Sequence, residues 1–270
     1  MLVFDGDYYS EGAAEFLRTL HELSPFLLTG VFLPPVKVLN SWGYTEGTGV
    51  TPVAPLLQPG ELEAIEKNIS CFEHFCQHNG IEYRVHREFE NFSINGFENE
   101  SRFSDLIVLG SELFYKNLQL HLRNDYLRDV LHRAESPVML VPETFNFPNH
   151  IILGYDGSED AVFAIKQFAY ILPELAGLEA TVVYADKDRE SAIPEKDQVE
   201  ELVARHFINL SFQKVHMSAA RYTEAWIPEE RSSMLVCGAY NRSFISQLFK
   251  KSFAKDIIAD HQIPVFIAHK

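Results

Sequence analysis

Four residues that could contact a ligand stand directly after short apolar runs. Asp5 and Asp156 each end one such run and precede a helical segment, and Gly110 and Gly238 end two others. Ligands of doubly wound α/β proteins bind at the carboxyl ends of strands, where such residues meet. A carboxylate can accept hydrogen bonds there, and a glycine allows close backbone approach. The alternative interpretation is structural: an aspartate that caps the next helix, and a glycine that the turn requires.

Catalytic and metal-binding patterns are not found. Cys71, His74 and His78 lie at i, i+3 and i+7 of one predicted helix, but we expect Cys71 to pack in the core. The sequence has no Gly-x4-Gly-Lys-[Ser/Thr], His-Glu-x2-His, Cys-x2-Cys or Gly-x-Ser-x-Gly motif. No nucleophile and base can be paired from their spacing. We therefore predict no catalytic residue and no metal ligand.

The elements that position these residues occur twice in the same order. The strand and helix around Asp5 resemble those around Asp156, and the run 105–110 resembles 233–238. Each of these runs is followed by a helix and a closing Pro-containing strand, at 137–142 and 264–269. Four matched segments in one order indicate an internal duplication.

The apolar runs are continuous and alternate with helical segments, which is typical of parallel strands covered by helices. The sequence predicts an α/β fold of two tandem doubly wound, mostly parallel five-stranded sheets with helices on both faces. Their domains are 1–143 and 150–270, separated by a proline-containing linker. The predicted strands are 2–5, 26–33, 81–88, 105–110, 137–142, 150–155, 178–185, 213–218, 233–238 and 264–269; predicted helices include 11–23, 61–79, 160–172 and 195–209.

The first half carries an insertion at 34–59, rich in Pro, Gly and Thr. Such a composition predicts a long loop with little regular structure. We interpret it as a surface insertion, with a lid over a site as the alternative.

Charge and composition restrict the partners. The chain has 23 Lys and Arg against 38 Asp and Glu, a formal net charge of −15. A field of that sign repels phosphate backbones, so we expect no nucleic-acid and no membrane partner. The start of the chain lacks a basic segment before an apolar stretch, and no apolar run reaches membrane-spanning length. These features predict a cytoplasmic protein.

Three features together resemble the universal stress protein family. They are Asp156-Gly157-Ser158 before a helix, Gly-Ala-Tyr-Asn-Arg-Ser at 238–243, and the closing Pro-Val-Phe-Ile strand. The resemblance covers nearly the whole chain as a tandem of two such domains and is clearer in the second half. It implies an adenine nucleotide alpha hydrolase-like fold, with ATP or another adenine nucleotide as the ligand if one binds.

The resemblance also implies where a nucleotide would bind. Nucleotide-binding members carry Gly-x2-Gly-x9-Gly-[Ser/Thr] after the fourth strand, and an aspartate after the first strand contacts the nucleoside. The second half keeps this spacing, with Asn and Lys251 in two glycine positions. Asn tolerates positive φ, whereas the lysine side chain fills space that backbone and phosphate would share. The nucleotide-binding residues so implied are Asp156, Gly238, Asn241, Arg242, Ser243 and Ser252.

When the same motif spacing is applied to the first half, only the first of its glycine positions is occupied by a glycine. The four positions are Gly110, Leu113, Arg123 and Asn124. We therefore expect no phosphate binding there.

The function expected from the resemblance is that of a noncatalytic stress-response or regulatory protein with a weakened or lost nucleotide site. One alternative is an ATP-binding universal stress protein with slow turnover at the second domain. Another is a nucleotide-independent scaffold that binds a small molecule or protein through the 34–59 insertion.

The closing strands predict the assembly. Members of the family commonly pair two copies of the last strand antiparallel. A fused chain can satisfy this internally, so we expect 137–142 and 264–269 to join the two domains as an intramolecular pseudo-dimer. A homodimer of two chains is also compatible with the sequence.

Overall fold

Continuous apolar runs form the strands of this protein, as parallel sheets buried on both faces require. We describe them from a computed structural model. The structure describes residues 1–5, 8–33, 59–87, 94–111, 134–186, 192–216, 232–238 and 263–270. By their contacts these residues form two units, Met1–Glu135 and Ser136–Lys270.

The first unit has four described strands, all parallel, in the order β3-β2-β1-β4. Helices connect them along the chain. The elements are β1 (Leu2–Asp5), α1 (Glu11–Leu23), β2 (Leu28–Leu33), α2 (Pro59–Asn79), β3 (Tyr83–Arg87), α3 (Ile94–Ser101) and β4 (Ile107–Gly110).

The second unit has six described strands in the order β5-β10-β9-β6-β7-β8. Strand β5 is antiparallel to β10, and the other neighbours are parallel. The elements are β5 (Val138–Val141), β6 (His150–Tyr155), α4 (Glu159–Ile171), α5 (Pro173–Ala176), β7 (Glu179–Asp186), α6 (Lys196–His206), β8 (Ile208–His216), β9 (Ser233–Gly238) and β10 (Val265–Ala268).

The parallel α/β fold predicted from the sequence is confirmed. The two closing strands pair antiparallel, with Phe266 opposite Met139, and the contacts of β5 place it in the second unit. The tandem arrangement of two five-stranded sheets, the domain limits 1–143 and 150–270 and the pseudo-dimer stay predictions.

Two adjacent predicted boundaries are wrong, the end of α6 and the start of β8. Strand β8 begins at Ile208 rather than 213, and α6 ends at His206 rather than 209. The chain turns extended at Phe207, whose N–H donates to Val203 O as the last helical hydrogen bond. Apolar and polar residues then alternate along β8, which is the period of a strand and not of a helix.

Aromatic rings fill the core of the first unit. The Phe4 and Phe32 rings stack with centroids 4.7 Å apart, and Phe72 of α2 meets both rings edge-on at 5.6 and 5.9 Å. The Phe72 ring lies directly over Gly30 in β2, where a Cβ would come within 2.8 Å of its Cε1 atom. The glycine therefore lets α2 pack closely on the sheet.

A row of hydrogen-bonded polar side chains crosses four strands of the second unit. The buried His150 ring lies 3.2 Å (Nδ1) from Ser233 Oγ and 3.0 Å (Nε2) from Thr181 Oγ1. Thr181 Oγ1 lies 2.8 Å from Ser211 Oγ. The contacts of His150 and Ser233 satisfy polar groups that are costly to bury, whereas Ser211 at the end of the row is exposed.

Replacing Phe72 with alanine tests the aromatic core. We expect Phe72→Ala to lower the free energy of unfolding by about 4 kcal/mol, because it empties a fully buried ring site. Phe103→Ala is the matched control, since Phe103 is 87% exposed, and should change it by less than about 0.5 kcal/mol. Urea unfolding measures both variants, and equal losses would contradict this packing.

Candidate functional site

Asp156 begins a turn that is closed by its own hydrogen bonds. The Ser158 N–H donates to Asp156 Oδ1 at 3.0 Å, and the Ala161 N–H donates to Ser158 Oγ at 3.1 Å. Gly157 between them has φ 81°, and a Cβ there would lie 3.1 Å from Pro194 Cγ. Ser158 is thus the N-cap of α4, and Asp156 stabilises the turn that presents it. This is the turn role that the sequence allowed for the aspartate.

Gly238 ends β9 against the backbone of α4. A Cβ at this position would lie 2.5 Å from Ala161 N, 2.5 Å from Asp160 C and 2.8 Å from Asp160 O. No real Cβ makes contacts that short with backbone, so only glycine lets the end of β9 approach the first turn of the helix. Packing is sufficient to explain the glycine.

The predicted residues Asp156 and Gly238 lie at the same carboxyl edge of the sheet. Their strands β6 and β9 are parallel neighbours, with Leu153 opposite Val236. Burial raises the pKa of the Cys237 thiol, and the nearby Asp156 carboxylate raises it further. Asp156 and Gly238 are therefore close together, and their nucleotide-binding role stays a prediction.

The other predicted nucleotide-binding residues lie outside the described residues. They are Asn241, Arg242, Ser243 and Ser252, together with Lys251. The same holds for the insertion up to residue 58 and, in the first half, for Leu113, Arg123 and Asn124. Asp5 and Gly110 are described and end the neighbouring strands β1 and β4.

A cleft of about 440 Å³ lies beside the Asp156 turn, between α4 and α6. We refer to it as the helix groove. Neither Asp156 nor Gly238 is among the described residues that line it. The lining residues are Tyr155, Gly157, Ser158, Glu159, Val162, Phe163, Lys166, Glu195, Gln198, Val199, Leu202 and Lys270.

Tyr155 and Glu195 lie at the end of the helix groove that is next to the Asp156 turn, which we call the upper end. The buried Tyr155 hydroxyl donates to Pro194 O at 3.0 Å and lies 3.5 Å from Glu195 Oε2. Burial, and next the Glu195 carboxylate, raise the pKa of Tyr155 to about 12. Glu195 itself has a left-handed backbone (φ 41°). The hydroxyl thus fixes the chain where it enters α6.

Sequence reasoning missed the helix groove because its residues match no motif. The detectable signal was a second stripe on α4, where Val162, Phe163 and Lys166 lie away from the core-facing residues. An amphipathic helix of this kind normally exposes polar groups there.

Metal binding has no support in the described residues. They contain no cluster of three or more His, Cys, Asp or Glu side chains that could hold an ion.

The expectation that Cys71 packs in the core is wrong: Cys71 is exposed, and Cys76 is the buried cysteine of α2. The core-facing stripe of α2 contains Ile65, Ile69, Phe72 and Cys76, which places Cys71 off that face.

None of the described helices combines the length and apolar composition that crossing a bilayer requires.

The contact of Gly238 with α4 predicts a costly substitution. Gly238→Ala should lower the free energy of unfolding by about 3 kcal/mol, because backbone atoms of α4 have to move to admit a methyl group. In Gly60→Ala the added methyl meets nothing within 4 Å, so this helical control should be neutral or slightly stabilising. Thermal unfolding compares the variants, and a neutral Gly238→Ala would disprove the close approach.

The buried Tyr155 hydroxyl predicts a dependence on alkaline pH. Removing it in Tyr155→Phe should cost about 1 kcal/mol at pH 8, since one buried hydrogen bond is lost. An unfolded tyrosine ionises near pH 10 and the folded Tyr155 near 12. The advantage of the wild type is therefore complete below pH 10 and is lost as pH rises towards 12. Urea unfolding of both proteins at pH 8 and pH 11 tests this, and a constant difference would contradict it.

Comparison with known proteins rests on structure. No family model matches the chain, and no curated protein matches its sequence. A universal stress protein from Archaeoglobus fulgidus DSM 4304 is similar in structure, with a TM-score of 0.61 and 14% identity over 100% of this chain and 96% of that one. The cytoplasmic domain of a prokaryotic cation chloride cotransporter has a TM-score of 0.52 and 14% identity over 98% and 93%. The chain has the universal stress protein fold.

Proposed function

We propose that this protein is a noncatalytic stress-response or regulatory protein in which the nucleotide site of the second half is weakened or lost. The observation that carries the proposal is the position of Gly238. In the binding mode that the family resemblance implies, the first glycine lets a nucleotide approach the backbone. Here the face of Gly238 that lacks a side chain is covered by Asp160 and Ala161 of α4.

The donors of the neighbouring turn are also used within the chain. A helix N-terminus can hold an anion through free N–H groups. The Ser158 N–H is bonded to Asp156, and the Ala161 N–H to Ser158. These two donors are therefore unavailable to a phosphate unless the cap breaks.

Charge and sequence add to the argument. Lys251 replaces a glycine of the phosphate loop, and a flexible side chain does not restore close backbone contact. The carboxylates of Glu159 and Glu195 lie beside the Asp156 turn, in a chain of net charge −15. Both features disfavour a polyphosphate.

One of the two similar structures is named as a universal stress protein, and this name supports the stress-response part of the proposal.

A thermal-shift titration with ATP and Mg²⁺ tests the proposal. We expect no rise in melting temperature for the wild type. The double variant Asn241→Gly/Lys251→Gly separates the two causes: a gain of ATP binding assigns the loss to the loop side chains, and no gain assigns it to the covered face of Gly238. A ligand at 100 times its Kd adds about 2.7 kcal/mol of stability, which is readily measured.

Calorimetry with Asp156→Ala in the double-variant background is the control, and it should remove the gained binding. Tight ATP binding by the wild type would contradict the proposal. If that binding were lost in the double variant, Lys251 would be a phosphate contact. Phosphate release by the wild type would instead support the ATP-hydrolysing alternative.

A further inference from the structure

We propose that the helix groove between α4 and α6 binds a small organic anion with an apolar body, of the class of medium-chain carboxylates. The proposal uses neither Asp156 nor Gly238, which do not line the groove among the described residues, although Gly157 and Ser158 of the same turn do.

The two helices present matching stripes to the groove. Each stripe has the spacing i, i+3, i+4, i+7, which places its residues on one face of a helix. The stripes are Glu159, Val162, Phe163 and Lys166 on α4, and Gln198, Val199 and Leu202 on α6 together with Glu195, the residue that precedes α6. Seven residues at 1.5 Å each give the groove a length of about 10 Å.

The middle of the groove is apolar and not fully covered. Val199 is buried, but Val162, Phe163 and Leu202 are only half-buried and line open space. A cleft of about 440 Å³ lies within the range of small-molecule sites. An apolar ligand body would remove this surface from water, which is favourable in proportion to its area.

The charges at the two ends of the groove differ. At the upper end, the Glu195 carboxylate lies beside the Tyr155 hydroxyl, and Glu159 lies 3.6 Å from Lys270 Nζ. Lys166 lies two helical turns away from Glu159, and in the described part of the chain its ammonium has no ion pair. An anionic group is therefore attracted to Lys166 and repelled at the other end.

This asymmetry fixes the orientation of the ligand. Its carboxylate would pair with Lys166 Nζ, and its chain would lie against Phe163 and Leu202. The uncharged end would point towards Tyr155. A cationic amphiphile in this orientation would place its charge against Lys166, and in the reverse orientation it would leave Lys166 without a counter-ion.

Calorimetric titration of the full chain with octanoate and with 1-octanol tests this site. We expect octanoate to bind more tightly than 1-octanol. Lys166→Gln should weaken octanoate binding about fivefold and leave 1-octanol binding unchanged, because one partly exposed ion pair is removed. Lys166→Arg should retain most of the affinity.

Lys196→Gln is the matched control. Lys196 begins α6, lies outside the groove lining and has its ammonium 5.6 Å from the centre of the Phe212 ring. The Lys196→Gln variant should leave octanoate binding unchanged. The Leu202→Glu variant should abolish octanoate binding, while circular dichroism shows that the chain is folded.

Three results would overturn the proposal. They are no octanoate binding by the wild type, equal binding of octanoate and 1-octanol, and equal effects of the Lys166 and Lys196 variants. None of these results depends on whether ATP binds, so the failure of one proposal is distinguishable from the failure of the other.

Discussion

The approach of two backbones organises the carboxyl edge of the second unit. The end of β9 and the first turn of α4 come so close at Gly238 that no side chain fits between them. This contact fixes the start of α4 relative to the sheet. It thereby fixes the Asp156 turn that precedes the helix and the helix face that lines the groove. Because residue 238 has no side chain, this one contact sets the positions of the Asp156 turn and of the α4 face that lines the helix groove.

The same edge of the sheet holds the Asp156 turn and, beside it, the helix groove. A helix N-terminus holds an anion through free backbone donors, and at the start of α4 the Ser158 and Ala161 N–H groups are bonded within the turn. The anion binding proposed for the groove depends instead on side chains of two helices and on the ammonium of Lys166. These requirements are independent, because one depends on backbone and the other on side chains.

The sequence predicted the parallel fold because continuous apolar runs have few alternative structures. It placed Asp156 and Gly238 at one edge because the ends of neighbouring parallel strands coincide. It could not decide their roles, since a capping aspartate and a ligand-binding aspartate have the same local pattern. It missed the start of β8 because the strand's apolar residues, Ile208 among them, follow a helix without a proline or glycine. It missed the helix groove because that site arises where two distant segments pack together.

The antiparallel pair of β5 and β10 has a consequence for cutting the chain. Both strands are buried along their whole length, and β5 bonds to β10 on the side opposite β9. A fragment that starts at residue 150 would lack β5 and leave the row of N–H and C=O groups along β10 open to solvent. Such an open and apolar edge is a template for aggregation or for strand exchange between copies. Strand β5 is therefore a protective cover, and any shortened form of the second half should retain it.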